Sequence, residues 1–179
     1  MRTPQTKKIL LAICLLISSL TFAQNSNTTA KSITENTNES DNHKILFAAV
    51  KATQLEDLLD KSGPFTIFAP SDAAFERFSS EKITELLNAE DKTVLKSLLT
   101  YHIVAGQLTA SRILRAMCRG NGKASFTTVQ GKKLEAHLDG YDIVLTDPMG
   151  NTARITTADL NLKNGVVHEI DSVILPAQM

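Results

Sequence analysis

Two cysteines in the whole chain are too few for a disulfide framework, and eight glycines with five prolines exclude collagen-like or proline-rich architectures. No charge of one sign dominates, because nineteen Lys and Arg cancel nineteen Asp and Glu. Basic residues interleaved with aromatics are missing as well, so no nucleic-acid partner is expected. The apolar run from Ile9 to Phe22 falls short of the roughly 20 residues that a permanent membrane span needs. Motifs that carry chemistry are absent too. There is no H-x-x-x-H, H-E-x-x-H or C-x-x-C to ligate a metal, no G-x-S-x-G and no Walker loop. Gly120-Asn121-Gly122 precedes strands and lacks the third glycine of a dinucleotide fingerprint. No metal, no cofactor and no catalysis are therefore expected.

What remains is an ordinary globular composition, 42% apolar and 21% charged over 179 residues, enough for one domain. Arg2, Lys7 and Lys8 precede the apolar run, and Thr21-Phe22-Ala23 offers small residues ahead of a cut after Ala23. Residues 1–23 thus read as a signal peptide, which places the protein outside the cytoplasm, in the periplasm, at the cell surface or secreted. Leu11-Ala12-Ile13-Cys14 faintly resembles a lipobox, but Ile13 is bulky for its position and Cys14 falls early in the run. Cleavage at Ala23 leaves no transmembrane anchor and leaves Cys118 as the lone cysteine, unable to form an internal bridge. It reads as a small buried hydrophobe, with intermolecular pairing as the alternative. Residues 24–42 hold five Asn, four Thr and three Ser, with Ile33 as the single large apolar side chain. Such a stretch reads as a flexible spacer, since little burial is available to offset its backbone entropy.

From His43 the periodicity is helical. Leu46, Phe47 and Val50 share one face, and Leu55, Leu58 and Leu59 another, with Thr53 and Glu56 spaced as a capping box. Phe65–Ala69 reads as a buried strand after Gly63-Pro64, and Ser71 caps a helix from Asp72 to Phe78. Further helices are marked by Ile83, Leu86 and Leu87, by Val94, Leu95, Leu98 and Leu99, and by Ile113, Leu114 and Met117 after the cap Thr109. Beyond Gly122 the period becomes two. Leu134, Ala136 and Leu138 face one way, Asp139-Gly140 turns the chain into Tyr141–Thr146, and further strands are expected at Thr152–Thr156 and Val166–Leu175. Helices first and antiparallel strands later indicate an α+β fold, with a single domain over 43–176 and a short tail at 177–179.

Among the histidines, His137 alternates onto the polar face of its strand, and His43 at the spacer's edge is expected to be solvated. His168 shares parity with Val166 and Ile170, so it points among apolar neighbours and must find hydrogen-bond partners. His102 sits at a helix-to-strand junction, where its ring can tie two elements together.

Three segments carry a family resemblance. Thr66-Ile67-Phe68-Ala69-Pro70-Ser71-Asp72-Ala73-Ala74-Phe75 resembles the first signature of fasciclin-type (beta-Ig-H3/fasciclin) domains. Leu99-Thr100-Tyr101-His102-Ile103-Val104-Ala105-Gly106 is similar to their central Tyr-His segment, and Asn164 to Pro176 to their closing signature. The resemblance implies a small helical bundle packed on a β-sandwich-like wedge of mainly antiparallel strands. It also implies a non-catalytic adhesion module that binds extracellular or envelope protein or polysaccharide, as a monomer with homophilic contact open. A carrier of a small apolar ligand such as a carotenoid is the alternative. By the same analogy Asp72, Tyr101, His102 and His168 are structural ties. Asp72 has a physical reason for this role, since its carboxylate can accept backbone N–H groups at its helix start. In animal members an Asp-Ile pair before the closing signature contacts integrins. Asp159-Leu160 matches it here, with Thr157-Ala158 replacing the flanking Glu-Pro. Ile103 and Val104 stand where those members carry a branched apolar contact run, so all four are expected as partner contacts.

Overall fold

The computed structural model describes residues 31–177. The expected signal peptide, residues 24–30 of the expected spacer and the last two residues of the tail lie outside the described residues.

The first helix overturns the spacer expectation over its described part. Ile33–Glu39 forms α1, capped by Ser32 in a capping box with Glu35. Ile33 is only 1% exposed, and its N–H donates to Asn164 Oδ1 at 2.8 Å. Thr34 adds a 2.5 Å hydrogen bond to Asp60. Composition misleads here because one large apolar side chain suffices when the surface it docks on is supplied by other elements.

Helices α2 (Lys44–Ala52) and α3 (Glu56–Lys61) follow. Thr53 does not cap α3 as its spacing with Glu56 suggests. Its hydroxyl instead donates back to the carbonyls of Ala49 and Val50, closing α2. Gln54 then takes a left-handed conformation (φ 57°), and Leu55 N–H bonds Val50 O at 3.1 Å, a Schellman-type ending. Strand β1 (Phe65–Pro70) is buried along its whole length. Helix α4 (Asp72–Asn88) is interrupted at Ser79, where the backbone is extended, so the two short helices expected from periodicity are its two halves. Ser71 caps its start as expected, through Ala74 N–H. Helix α5 (Thr93–Tyr101), strand β2 (Ile103–Ala105) and helix α6 (Ala110–Arg119, capped by Thr109) complete the first half.

Strands β3 (Lys123–Thr127), β4 (Lys133–Asp139), β5 (Asp142–Thr146), β6 (Thr152–Leu162) and β7 (Gly165–Ile170) make the second half. One seven-stranded sheet runs in the order β2-β1-β7-β6-β5-β4-β3. All its pairings are antiparallel except β1 with β7. Its two edges nearly meet, joined by the Val104–Thr128 bridge and the bond from Val129 N–H to Ile103 O. The α+β class therefore stands, with the sheet curled almost into a barrel. Strand β6 is longer than expected because two irregularities in its register with β7 let it continue past Thr156. Strand β7 is shorter, and Val173 and Ile174 are buried beyond its end without ladder pairing.

The parallel β1–β7 contact depends on Gly165. A Cβ there would lie 2.0 Å from the Phe65 carbonyl oxygen, so no other residue fits without separating the strands. Alternation along β1 divides the interior in two. Phe65, Ile67 and Ala69 face the helices, packing with Leu46, Leu59, Leu95 and Leu98. Phe68 faces the inside of the curled sheet, with Tyr101, Ile113, Met117, Leu134 and Leu145. Leu114 and Leu138, expected on buried faces, are 38% and 45% exposed at the margins of their elements.

Candidate functional site

The buried polar residues gather around β1 and β7. His168 lies beside Phe68 in the parallel register, and their rings stack at 5.6 Å. Carbonyl oxygens only accept, so the 2.7 Å contact from His168 Nε2 to Leu108 O places the ring proton on Nε2. Nδ1 is then free to accept from Asp159 N–H at 3.2 Å. The Asp159 carboxylate in turn accepts from Ala110 N–H at the start of α6, at 2.7 Å. One imidazole and one carboxylate thus clamp three pieces of chain: the loop before α6, the irregular stretch of β6, and β7. Thr66 works in parallel, donating to Gly106 O and accepting from Leu108 N–H.

His102 follows the same logic. Nδ1 donates to Leu98 O at 2.9 Å and Nε2 accepts from Ile174 N–H at 3.4 Å, tying α5 to the chain end. Burial pushes its pKa down to about 4, against smaller opposing effects of the Leu98 carbonyl and Asp147. Burial lowers His168 in the same direction. Both rings are therefore neutral at pH 7, the form their hydrogen bonds require. Tyr101 donates to Lys133 O at 2.8 Å, and burial, reinforced by Asp147 and Glu135, pushes its phenol up to about 12.

Asp72 is a tie of a different kind from the expected one. Its carboxylate accepts from Lys44 N–H at 3.1 Å and Ile45 N–H at 2.9 Å, so it caps α2 and not its own helix. His43, at the N-cap of α2, supplies no side-chain cap, and the carboxylate from α4 takes that place. Asp147 was not singled out from the sequence. It is buried and accepts from Met149, Asn151 and Leu175 N–H groups and from the Asn151 side chain. The turn sequence Asp147-Pro148-Met149-Gly150-Asn151 held the signal for its local bonds, whereas the Leu175 contact is purely tertiary.

The four expected partner contacts separate. Ile103 and Val104 are 3% and 4% exposed, one in each core. They are corrected to packing residues, since β2 pairs with β1 and turns both side chains inward. Asp159 is half-buried in the clamp, with φ 60°. Leu160 alone is a surface residue, 42% exposed. It borders a groove of about 290 Å³ between α1 and strands β6 and β7, with Thr157, Glu169 and His43. His43 is not solvated as expected. Ser40 contacts its Nδ1 at 2.7 Å, and its Nε2 faces Glu169 at 3.8 Å, buried and without a hydrogen-bond partner among the described residues. Cys118 is exposed on α6, which corrects the buried-thiol expectation. A second, apolar cavity lies among Ile33, Leu46, Val50, Ile67 and Leu99 and holds about 20 Å³, room for one water molecule. Among the described residues no group of three or more His, Cys, Asp or Glu side chains is placed to hold a metal ion, and no helix is long and apolar enough to cross a membrane.

The family profile described as "Fasciclin domain" matches residues 41–176. "Protein sll1483" of Synechocystis is 33% identical over 158 residues, covering 88% of this chain and 81% of that protein. The transforming growth factor-beta-induced protein ig-h3 of Sus scrofa is 31% identical over 136 residues, which span 76% of this chain and 18% of the animal protein. A solved FAS1 domain pair from the insect cell adhesion molecule fasciclin I superposes with a TM-score of 0.56 at 26% identity. That match covers 73% of this chain and 44% of the insect one.

Proposed function

We propose that this chain, which belongs to the fasciclin domain family, is an exported adhesion module that binds an extracellular or envelope protein or polysaccharide without catalysis. One observation carries the reading: His102, His168 and Tyr101, the polar side chains buried at the centre of the fold, are engaged as ties. Both nitrogens of His102 and of His168 are hydrogen-bonded to backbone, and the Tyr101 hydroxyl donates to a strand carbonyl. A ring engaged at both nitrogens has no free site to take a proton from a substrate. The insect relative is described as a cell adhesion molecule, which supports the same direction. A carrier of a small apolar ligand such as a carotenoid needs an apolar pocket of roughly 300 Å³ or more, and the apolar cavity of about 20 Å³ weighs against that role.

The test is capture of cell-envelope components on the immobilised protein, with an absorbance scan of the purified material beside it. Specific capture with no bound chromophore is expected. A coloured, extractable ligand in stoichiometric amount replaces this reading with the carrier. Absence of any captured component under low and physiological salt removes it.

A further inference from the structure

The zero net charge hides a strong division of the chain. Between Asp91 and Glu135 there is no acidic residue, while Lys92, Lys96, Arg112, Arg115, Arg119, Lys123, Lys132 and Lys133 are all basic. The remainder must therefore carry an excess of eight acids. The basic stretch spans α5, β2, α6 and β3, and these elements lie together in space. Thr128, just past β3, bridges Val104 of β2, and Gln130 bonds Thr100 and Ser97 of α5. Among the described residues every ion pair lies outside the stretch. Among the described residues its cations have no carboxylate partner.

The densest part is the outer face of α6. Ile113 and Met117 turn inward, and Arg112, Arg115 and Arg119 lie together on the exposed side, one turn apart along the axis. At about 1.5 Å of rise per residue the steps between them are roughly 4.5 and 6 Å. A guanidinium pairs with a carboxylate in planar, two-point fashion, so a row of three suits a linear chain that carries carboxylates at repeated intervals. Arg112 also donates to Gln107 O, which steadies its side chain at the start of the row. The Asp159 carboxylate at that end of the helix is already held by Ala110 N–H.

We infer that the arginine face of α6 is a binding surface for a linear acidic polysaccharide carrying carboxylates. This deepens the adhesion reading above and rests on it. A bilayer fits the face poorly, because Leu114 is its one large apolar side chain and an inserting helix needs a continuous apolar stripe. Single-stranded nucleic acid fits poorly as well, because no aromatic side chain lies on this helix to stack bases.

The experiment measures retention of the purified protein on immobilised polygalacturonate, with neutral dextran, duplex DNA and phosphatidylglycerol vesicles as competing probes. Binding to polygalacturonate at low salt, lost on raising ionic strength, and none to dextran are expected. Joint replacement Arg112→Gln, Arg115→Gln and Arg119→Gln should weaken binding about tenfold. Joint replacement Lys44→Gln, Lys61→Gln and Lys163→Gln removes the same charge elsewhere on the surface and should leave binding unchanged. Equal loss in both variants, parental binding in the arginine variant, or tighter binding to DNA or vesicles overturns the inference. Envelope capture that persists in the arginine variant overturns it while leaving the adhesion reading standing. Failure of the parent protein to capture any envelope component removes the adhesion reading itself.

Discussion

The two hydrophobic regions that meet back to back at β1 are built differently. On the helical side, Ile33, Leu46, Val50, Leu59, Ile67 and Leu98 pack aliphatic surface on aliphatic surface. Inside the curled sheet, Phe68, Leu134, Leu145 and Ile170 share their space with the hydroxyls of Tyr101 and Thr66, the ring of His168 and, at the sheet's end, the carboxylate of Asp147. An aliphatic core accepts many arrangements at similar free energy. A core with buried polar groups accepts only those arrangements in which each group finds its partner. The middle of β6, between its two register shifts, the loop before α6 and the segment after β7 lack regular ladders to fix them. They are located by His168, Asp159, Thr66 and Asp147 instead. Polar burial here sets geometry, by holding segments that no ladder fixes.

The largest expected effect tests that division directly. Phe68→Ala removes a fully buried ring at the centre of the sheet-side core and should cost about 3–5 kcal/mol in urea unfolding. A loss below about 1 kcal/mol would show that Phe68 is no packing anchor.

Acid should act next, and unevenly. The unfolded chain takes up a proton on His102 near pH 6.5, whereas the folded protein resists until about 4. Stability from this group is therefore complete above about pH 7.5, falls as pH drops through that window, and is fully lost below about 4, roughly 3 kcal/mol in all. His168 adds a loss of the same sign. Hydrogen exchange at pH 5 should show β6, β7 and the chain end opening before α2 and α3. An NMR titration that places His102 above pH 6 would refute the mechanism.

His168→Leu keeps the volume and strands Leu108 O and Asp159 N–H without their ring partner. About 2 kcal/mol should be lost, with the start of α6 loosened first. If stability were retained and envelope capture lost, the ring would belong to the binding surface and not to the clamp.

Asp72→Ala should have the smallest effect, about 1 kcal/mol, the usual value of a lost helix cap. It should show as fraying of α2, on the helical side, with the sheet-side core unaffected. A drop in sheet-side exchange protection would mean that the two cores are less separate than their packing indicates.

Local signals carried far into the fold. Ser71 and Thr109 cap the helices expected of them, Asp139-Gly140 turns β4 into β5, and the inward face of His168 was readable from parity. Failures came where the deciding contact is distant in sequence. Thr53 matches a capping pattern but bonds backward, and α1 looks like a spacer until Asn164 and Asp60 receive it. Strand β3 has weak alternation and is stabilised by pairing with β4. Ile103 and Val104 were expected as contacts only by likeness to animal members, and the sheet buries both.

The order of residues alone therefore determined the helix starts at Ser71 and Thr109, the Asp139-Gly140 turn, the alternation of β4 and the segregation of basic from acidic segments. These depend on dihedral preference, capping and pattern, all of which act within a few positions. Only the tertiary structure decided which carboxylate caps which helix, which strand runs parallel to β1, and which apolar side chains reach solvent. Those outcomes require atoms more than twenty residues apart to come within hydrogen-bond or packing distance, and short-range periodicity holds no record of such encounters.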